Sequence, residues 1–377
     1  MMQVASLVPL LFLLVVRPVA AVQASPRSCA AGESALREAV VDVHERQRNV
    51  GIAVAIAVDG ELAFEEYRGN ADLEHEVPVG PATRFGIASV TKLFTAVALL
   101  GVEADGGVSL ADTVWEYVPP FASPASRPIT LAMLASHTSG LPHPEERTPQ
   151  LFATHYETAT DAVELFREVE LLSQPGAERN YSSTNYNLIA AAIEGATGSR
   201  FVDVVRDRIL AHLALEATEF DDVLAILPDR ARRYSFYHPW TYAESESLYR
   251  VPSWDYSFNV GGGNLISTAR DLATFGTALI EPSAVLPAAQ FAQLYDQSWF
   301  GRRTDAGERY LFISGANPGV QAGLAIYPER RTVAAVLSNT WGVGSRSGEM
   351  GGLARKLAEL CAPAPHDSVL DHGAPAE

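Results

Sequence analysis

The sequence predicts an α+β fold, an α/β sandwich in which helices flank one antiparallel sheet. Three observations predict it. Apolar runs with strand character lie near both ends of the chain, helical patterns fill the middle, and a further helical pattern adjoins each group of strands. The chain has 377 residues, 47% of them hydrophobic, which suffices for one large domain or two closely packed ones.

The N-terminal part of the predicted sheet is a hairpin that follows an amphipathic helical pattern at residues 33–48. Residues 51–58 and 61–67 are rich in apolar and β-branched side chains, which favours strands. Asp59 and Gly60 lie between them, and Asp-Gly is typical of a two-residue hairpin turn. We therefore expect these two strands to pair in the sheet.

The middle of the chain, residues 109–260, is expected to be a mainly helical insertion, because helical patterns alternate there with loops rich in Pro and Gly. After it the chain returns to strand-like runs and ends in a closing helix. The predicted elements are helices at 161–172, 185–198, 202–215, 267–280 and 346–360 and strands at 309–314, 320–327 and 332–338. The sheet part therefore comprises residues 25–108 and 261–362 of one domain, residues 25–362.

Both ends of the chain carry signals about processing and location. Residues 4–16 form an uncharged apolar run of 13, which suits the core of a signal peptide better than a membrane span. Cleavage after Ala24 would remove residues 1–24 and leave an exported protein, periplasmic or secreted; an uncleaved membrane anchor is the alternative. No later run reaches about 18 apolar residues, so no integral membrane span is expected after cleavage. Residues 363–377 are expected to form a flexible tail.

The two cysteines of the chain, Cys29 and Cys361, lie near the two ends of the expected mature protein. In an oxidising compartment they can form a disulfide if the terminal helices pack on the same face of the sheet. The alternative is a pair of free thiols.

The charge balance excludes one class of partner. Acidic residues number 45 against 28 basic ones, which gives a net charge of −17. Nucleic acids need a cationic surface, so no nucleic-acid partner is expected. Only two of the basic residues are lysines, Lys92 and Lys356, and the remainder are arginines. This scarcity draws attention to the two places where lysine is kept.

Ser89 and Lys92 are the strongest chemical signal in the sequence. They form an S-x-x-K tetrad at the predicted start of a helix, and a spacing of three residues puts both side chains on one helical face. A serine hydroxyl needs a base to become a good nucleophile. Lysine can release its proton where burial disfavours the ammonium form, whereas arginine stays protonated. The alternative is a helix-capping serine followed by a surface lysine.

Four longer stretches carry a family resemblance, and they occur in the family's order between about residues 45 and 342. They are RFGIASVTKLFTAVALL, LAMLASHTSGLPH, PGAERNYSSTNYNLIAAAIEGATG and VGGGNLISTARDLATFG. The chain resembles the serine β-lactamase and penicillin-binding-protein superfamily, in its class C-like branch that includes the mitochondrial β-lactamase-like proteins. The resemblance implies the β-lactamase/transpeptidase-like fold. It implies that Ser89 is the acylated nucleophile, that Lys92 transfers protons, and that Tyr181 matches the tyrosine of the Tyr-x-Asn motif.

The sequence departs from the family pattern at two positions. Ser183 replaces the Asn of Tyr-x-Asn, and a hydroxyl lacks the two-sided reach of an amide, although Asn185 lies close by. In the third motif Ser314 and Gly315 match, whereas Ile313 stands where the family has a cationic or polar residue. The resemblance implies an oxyanion hole from the backbone N–H groups of Ser89 and Ala316, which needs no particular side chain. The nearest arginines that could replace the missing charge are Arg302, Arg303 and Arg309.

Other conspicuous residues are interpreted as structural. His137, in a Ser-His-Thr-Ser-Gly stretch, is expected at a helix end and turn. The run Gly261-Gly262-Gly263 has no phosphate-loop pattern and indicates a close backbone approach, near the site. The nine histidines lack paired metal-ligand spacing, so neither a metal nor another cofactor is expected.

The sequence therefore predicts a serine hydrolase that acts through a Ser89 acyl-enzyme on an amide or ester of a small molecule or peptide. Ser183, Ser314, Gly315 and Ala316 are the expected substrate-binding residues. The loss of the cation at Ile313 favours an esterase or peptidase over an efficient β-lactamase. The alternative is a catalytically weakened family member that binds a ligand or serves as a scaffold.

Overall fold

The structure is a computed structural model that describes residues 29–118, 128–144, 149–283, 285–296, 298–344 and 348–362. The predicted signal peptide, residues 1–24, and the predicted tail, residues 363–377, lie outside the described residues. In the described part of the chain, no helix combines the length and the apolar character that a membrane crossing requires.

The described residues form nine α-helices and thirteen strands. The helices are α1 (Gly32–Arg46), α2 (Thr91–Ala104), α3 (Leu131–Ala135), α4 (Ser183–Thr197), α5 (Phe201–Val205), α6 (Val260–Gly263), α7 (Ala269–Thr277), α8 (Ala288–Leu294) and α9 (Glu349–Cys361). The strands are β1 (Gly51–Val58), β2 (Glu61–Asp72), β3 (Val77–Pro78), β4 (Phe85–Gly86), β5 (Glu219–Phe220), β6 (Tyr234–Tyr237), β7 (Glu244–Arg250), β8 (Leu265–Ser267), β9 (Gly301–Arg303), β10 (Arg309–Asn317), β11 (Val320–Tyr327), β12 (Thr332–Ser338) and β13 (Thr340–Trp341).

The main sheet is built from both ends of the chain, in the strand order β3-β2-β1-β12-β11-β10-β9. Strand β1 from the N-terminal hairpin pairs antiparallel with β12, with Ala55 opposite Ala335. The predicted α+β fold is therefore confirmed. The central strands β1, β11 and β12 are apolar on both faces because each face is covered by helices.

Two layers of helices enclose this sheet. On one face α1 and α9 pack over Ile52, Val54 and Val336. On the other face α7 packs against β1 and β12, and the core continues into α2 and α4. Alternation along β1 explains the arrangement, since Ile52 and Val54 face one layer while Ala53 faces the other.

A disulfide joins Cys29, just before α1, to Cys361, the last residue of α9, and their Cα atoms are 4.1 Å apart. The backbone N–H of Ala30 also donates to the carbonyl of Cys361 at 2.8 Å. The bond therefore closes a loop of 332 residues by sequence separation and ties the two terminal helices together.

Removing this disulfide is expected to lower the free energy of unfolding by about 2–4 kcal/mol. Without the cross-link the unfolded chain has a higher conformational entropy, which stabilises the unfolded state. The measurement is urea unfolding of the oxidised protein and of the Cys29→Ser/Cys361→Ser variant. Equal midpoints and slopes in the two curves would contradict the expectation.

One sequence-based prediction for the insertion was wrong, and one element of the insertion was not predicted. The helix predicted at residues 161–172 is only a 3₁₀ helix, Asp161–Phe166, because the N–H of Val163 bonds to the carbonyl of Thr160, three residues back. The small sheet of β6, β7 and β13 was not predicted. Strand β7 is largely polar, ESESLYR, so its sequence lacks the apolar alternation that marks a strand.

Candidate active site

Ser89 lies in a 3₁₀ turn, Ala88–Val90, that leads directly into α2. Ala88 has a φ of 44°, in the left-handed region that non-glycine residues rarely adopt. The turn is fixed from outside, because the N–H of Ile87 donates to the carbonyl of Leu265 at 2.9 Å and the N–H of Leu265 donates to Thr91 Oγ1 at 3.1 Å. The neighbouring strand β8 therefore holds the predicted nucleophile in position.

Lys92 is fully buried in the first turn of α2. Its Nζ donates to Ser89 Oγ at 3.0 Å, to Ser183 Oγ at 2.9 Å and to the carbonyl of Gly262 at 2.6 Å. Three acceptors match the three donors of an ammonium group. None of them is a carboxylate, and Lys92 makes no ion pair with any residue that the structure describes. The surface lysine that the alternative interpretation requires is therefore absent at this position.

Tyr181 reaches Ser89 from the opposite side. Its hydroxyl donates to Ser89 Oγ at 2.7 Å, and its ring centroid lies 5.0 Å from Lys92 Nζ. The Tyr181 side chain is 47% exposed, so the phenol stands at the boundary between solvent and the buried lysine. Ser89 Oγ is therefore bonded to two groups that can each exchange a proton with it.

His137 holds the segment that carries Tyr181. It has a φ of 61° directly after the end of α3, where the sequence predicted a helix end and turn. Its carbonyl accepts from the N–H of Asn180 at 2.8 Å, its Nδ1 accepts from the N–H of Ser182 at 3.2 Å, and its ring lies 4.6 Å from the Tyr181 ring. Burial, and then the charge of Lys92, lowers the pKa of His137 to about 2, so the ring is neutral with its proton on Nε2.

The beginning of α4 places Ser183 next to Lys92. Ser182 caps the helix, because its side chain accepts from the N–H of Thr184, and its own hydroxyl donates to the carbonyl of Pro142 at 2.7 Å. Asn185 does not take over the role of the missing amide. Its Oδ1 accepts from Ser139 Oγ at 2.6 Å and its Nδ2 lies 3.2 Å from His137 Nδ1, so both ends are engaged inside the protein.

The glycine run at the start of the second sheet segment belongs to the site. Gly262, in α6, supplies the carbonyl that accepts from Lys92. A Cβ atom at Gly261 would lie 2.2 Å from the carbonyl oxygen of Tyr186, so a larger residue would push α6 away from α4. The close backbone approach expected from the sequence is present, and it places the carbonyl of Gly262 within hydrogen-bond distance of Lys92.

Strand β10 carries the third motif and forms the wall opposite Tyr181. Gly315 lies against the nucleophile turn, since a Cβ built on it would be 2.7 Å from the backbone N of Ser89 and 2.5 Å from the carbonyl oxygen of Ile87. Ile313, Ser314 and Ala316 line the same cavity as Ser89. The Cβ of Ser314 also faces Gly351 of α9, at 2.8 Å from the position of a Cβ there.

These residues surround a cavity of about 380 Å³. Ile313 adds no charge to it, but two arginines line it, Arg302 and Arg179. Arg302 lies on β9, opposite Tyr310 of β10, and therefore beside the third-motif strand. Burial, and then the charge of Arg179, lowers the pKa of Arg302.

Of the three arginines proposed from the sequence, Arg302 alone lines this cavity. Arg303 lies just outside, in a shallow depression that it shares with Arg302 and Arg179, and its Nη1 donates to the carbonyl of Gly307. Arg309 lies 3.9 Å from a carboxylate oxygen of Glu329 and does not line the cavity. The sequence analysis missed Arg179. Its position two residues before Tyr181 is the signal that points to it.

Comparisons with known proteins give the family and the fold of this chain. The family model described as Beta-lactamase matches residues 36–359. The human "Serine beta-lactamase-like protein LACTB, mitochondrial" is 26% identical over 297 residues, which is 61% of this chain and 53% of that protein. The chain thus spans about half the length of this curated relative.

Solved structures share the fold. The octameric penicillin-binding protein homologue from Pyrococcus abyssi has a TM-score of 0.73 and 24% identity, covering 88% of this chain and 79% of that one. D-amino acid amidase from Ochrobactrum anthropi SV3, in complex with L-phenylalanine amide, has a TM-score of 0.71 and 22% identity, covering 86% and 97%. Because the family model covers most of the chain, this protein belongs to the Beta-lactamase family.

Proposed function

We propose that this protein is a serine hydrolase that cleaves an amide or ester through an acyl-enzyme on Ser89. The observation that carries the proposal is the position of Ser89 Oγ between Lys92 Nζ at 3.0 Å and the Tyr181 hydroxyl at 2.7 Å. A hydroxyl bonded to two proton-transfer groups at a cavity wall is the arrangement that nucleophilic catalysis requires. The likeness to an amidase supports the reaction class.

The proposed acylation follows from these contacts. Lys92 accepts the proton of Ser89 as Oγ attacks the substrate carbonyl, Tyr181 delivers a proton to the leaving nitrogen or oxygen, and the proton taken by Lys92 then restores the Tyr181 hydroxyl. The backbone N–H groups of Ser89 and Ala316 hold the developing oxyanion, which typically contributes a few kcal/mol to transition-state stabilisation. A water molecule then attacks the acyl carbonyl and gives a proton to Lys92, the bond between Ser89 Oγ and the acyl group breaks, and Oγ takes that proton back as the acid product leaves.

The charge of the cavity favours an acyl substrate with an anionic group. Arg179 and Arg302 line the cavity, and neither makes an ion pair with a residue that the structure describes. In a protein with a net charge of −17, two unpaired arginines beside a nucleophile are an unusual concentration of positive charge. A guanidinium group matches the geometry of a carboxylate, so these arginines take the place of the cation missing at Ile313.

Replacing Arg302 by glutamine is therefore expected to lower kcat/KM for carboxylate-bearing esters and peptides by about tenfold, because one charged hydrogen-bonding partner is lost. Hydrolysis of a neutral p-nitrophenyl ester should change much less. The matched control is Arg309→Gln, which removes an arginine outside the cavity. Equal losses for the charged and neutral substrates would contradict the proposed role of Arg302.

The proposed function is tested by labelling the nucleophile. We expect a fluorophosphonate probe to add to Ser89, located by mass spectrometry of peptides, and expect Ser89→Ala to lose hydrolysis and labelling while keeping its thermal stability. A panel of nitrocefin, p-nitrophenyl esters and D-amino-acid peptides then ranks the substrates, and Ile313 leads us to expect ester or peptide turnover above nitrocefin turnover. Ligand binding that persists in Ser89→Ala, with no adduct and no turnover of the panel, would favour the ligand-binding or scaffold alternative.

The proposed location is an exported, oxidising compartment. The signal-like run at residues 4–16 and the disulfide between Cys29 and Cys361 support it. The name of the human relative describes that protein as mitochondrial, so the competing outcome is targeting to an organelle. Determination of the N-terminus of the protein purified from its own cells distinguishes processing after Ala24 from an uncleaved chain.

A further inference from the structure

Asn317 is the last residue of β10, and its side chain takes no part in the contacts of the candidate site described above. It lines the same cavity of about 380 Å³ as Ser89, here called the catalytic cavity. Among the described residues that line this cavity, Asn317 alone carries an amide side chain. It therefore offers the cavity both an NH₂ donor and a carbonyl acceptor.

The geometry of β10 places the Asn317 side chain on the wall that meets the nucleophile. Ile313, Gly315 and Asn317 alternate with more exposed residues along the strand, so they share one face. That face contacts the nucleophile turn, because a Cβ at Gly315 would lie 2.7 Å from the backbone N of Ser89. Asn317 lies two residues further along, about 7 Å at the rise of an antiparallel strand. A substrate bound to Ser89 can therefore reach it.

The Asn317 amide is nearly buried but unpaired. The residue is 9% exposed, and its side chain makes no hydrogen bond with any residue that the structure describes. Asn49 is a useful contrast, because both atoms of its amide are sealed inside the protein without a partner, whereas neither atom of the Asn317 amide is. The amide therefore keeps accessible surface at the catalytic cavity that Asn317 lines. Since folded proteins pair most of their buried polar side chains, an open and unpaired amide there indicates a contact with the substrate.

The positive charge of the cavity lies on the other side of the nucleophile. Arg302 is beside the beginning of β10, whereas Asn317 is at its end. Arg179 also lines the cavity and stands two residues before Tyr181, the proposed proton donor to the leaving group. This arrangement assigns the arginines to the leaving group and the end of β10 to the acyl group.

We propose that Asn317 is a specificity-determining residue that hydrogen-bonds an amide on the acyl part of the substrate. This inference rests on the proposed acyl-enzyme function and adds the class of acyl group that the site prefers. The favoured substrates are esters or amides of N-acylated amino acids, in which an amide is attached to the carbon next to the scissile carbonyl. Ser183 is less suited to this role, because its hydroxyl oxygen already accepts from Lys92 at 2.9 Å.

The test compares two p-nitrophenyl esters, of N-acetylglycine and of pentanoic acid. They share a neutral leaving group, and their acyl chains are equally long but differ by the amide. Asn317→Leu keeps the approximate size of the side chain and removes its hydrogen bonds. We expect the ratio of kcat/KM for the acetylglycyl ester to kcat/KM for the pentanoyl ester to fall about fivefold, because one hydrogen bond between neutral groups is lost.

The ratio cancels the intrinsic reactivity of each ester and any general damage to the active site, so a merely structural role of Asn317 would not change it. Asn317→Ala, which introduces no larger apolar group, should lower the ratio in the same way. The matched control is Asn70→Leu, on β2 and outside the catalytic cavity, which should keep the wild-type ratio. A cooperative thermal transition confirms that each variant is folded.

A second measurement does not depend on catalysis. Ligand-observed NMR on Ser89→Ala gives the dissociation constants of N-acetylglycinamide and pentanamide, and their ratio should shift about fivefold against N-acetylglycinamide when Asn317→Leu is added. Ester hydrolysis that persists in Ser89→Ala would refute the proposed function and leave this binding comparison in force. An unchanged ratio in the folded Asn317 variants, for hydrolysis or for binding, would overturn the role of Asn317, as would an equal fall in Asn70→Leu.

Discussion

Lys92→Arg is expected to slow acylation of Ser89 by about a thousandfold, within the range that general-base catalysis contributes. Arginine keeps the positive charge but does not release its proton, so it cannot receive the proton of Ser89. This substitution tests whether position 92 needs a side chain that can lose its proton. The chain uses arginine at 26 of its 28 Lys and Arg positions, so the lysine at position 92 is an exception. The measurement is the rate of fluorophosphonate labelling under single-turnover conditions.

The chain offers a matched control in its other lysine. Lys356 is exposed in α9, and Lys356→Arg should label at the wild-type rate. Because Lys92 is fully buried, the larger guanidinium can also disturb packing, so Lys92→Met is measured beside it and both variants are checked for a cooperative thermal transition. A folded Lys92→Arg protein that labels as fast as wild type would remove Lys92 from the mechanism.

Much of the fold could be predicted because its signals are local. The bounds of β1, β11 and β12 match the predicted runs at 51–58, 320–327 and 332–338 residue for residue, since continuous apolar sequence marks a strand covered on both faces. The helix predicted at 161–172 was wrong. The apolar residues of this segment fit a helical period, but hydrogen bonds from distant parts of the chain determine its conformation. Glu194 of α4, for example, accepts from the N–H groups of residues 159 and 160.

The candidate site likewise combines a contact that local sequence predicts with contacts between distant parts of the chain that it does not. Ser89 and Lys92 are three residues apart, so helix geometry alone brings them together. Tyr181 is 92 residues from Ser89, and no local pattern predicts that contact, so its assignment depended on the family resemblance. Arg179 and Arg302 line one cavity only because the loop before α4 and the edge strand β9 both border it. A substitute for the cation missing at Ile313 was expected from Arg302, Arg303 or Arg309, but the sequence could not select Arg302 from the other two, and Arg179 was not predicted.

Gly315→Ala is expected to lower kcat by about 100- to 1000-fold, the range seen when an oxyanion-hole donor is lost. The reason is steric. A Cβ at position 315 would lie 2.7 Å from the backbone N of Ser89 and 2.5 Å from the carbonyl oxygen of Ile87. Both are backbone atoms of the nucleophile turn, so β10 or the turn must shift, and the proposed oxyanion hole of the Ser89 and Ala316 N–H groups would be disrupted. Steady-state hydrolysis measures the loss of kcat, and thermal unfolding measures any loss of stability.

The matched control is Gly352→Ala, in α9, where a new Cβ would meet no atom within 4 Å. That variant should keep wild-type activity and gain about 0.5–1 kcal/mol, because alanine favours a helix over glycine. Gly315→Ala should lose about 1–3 kcal/mol from overpacking. Activity is therefore compared at a temperature where both variants are fully folded.

Gly315 has no left-handed φ, so only the space around it requires glycine. A folded Gly315→Ala protein with wild-type kcat would mean that the approach of β10 to Ser89 is not what stabilises the oxyanion.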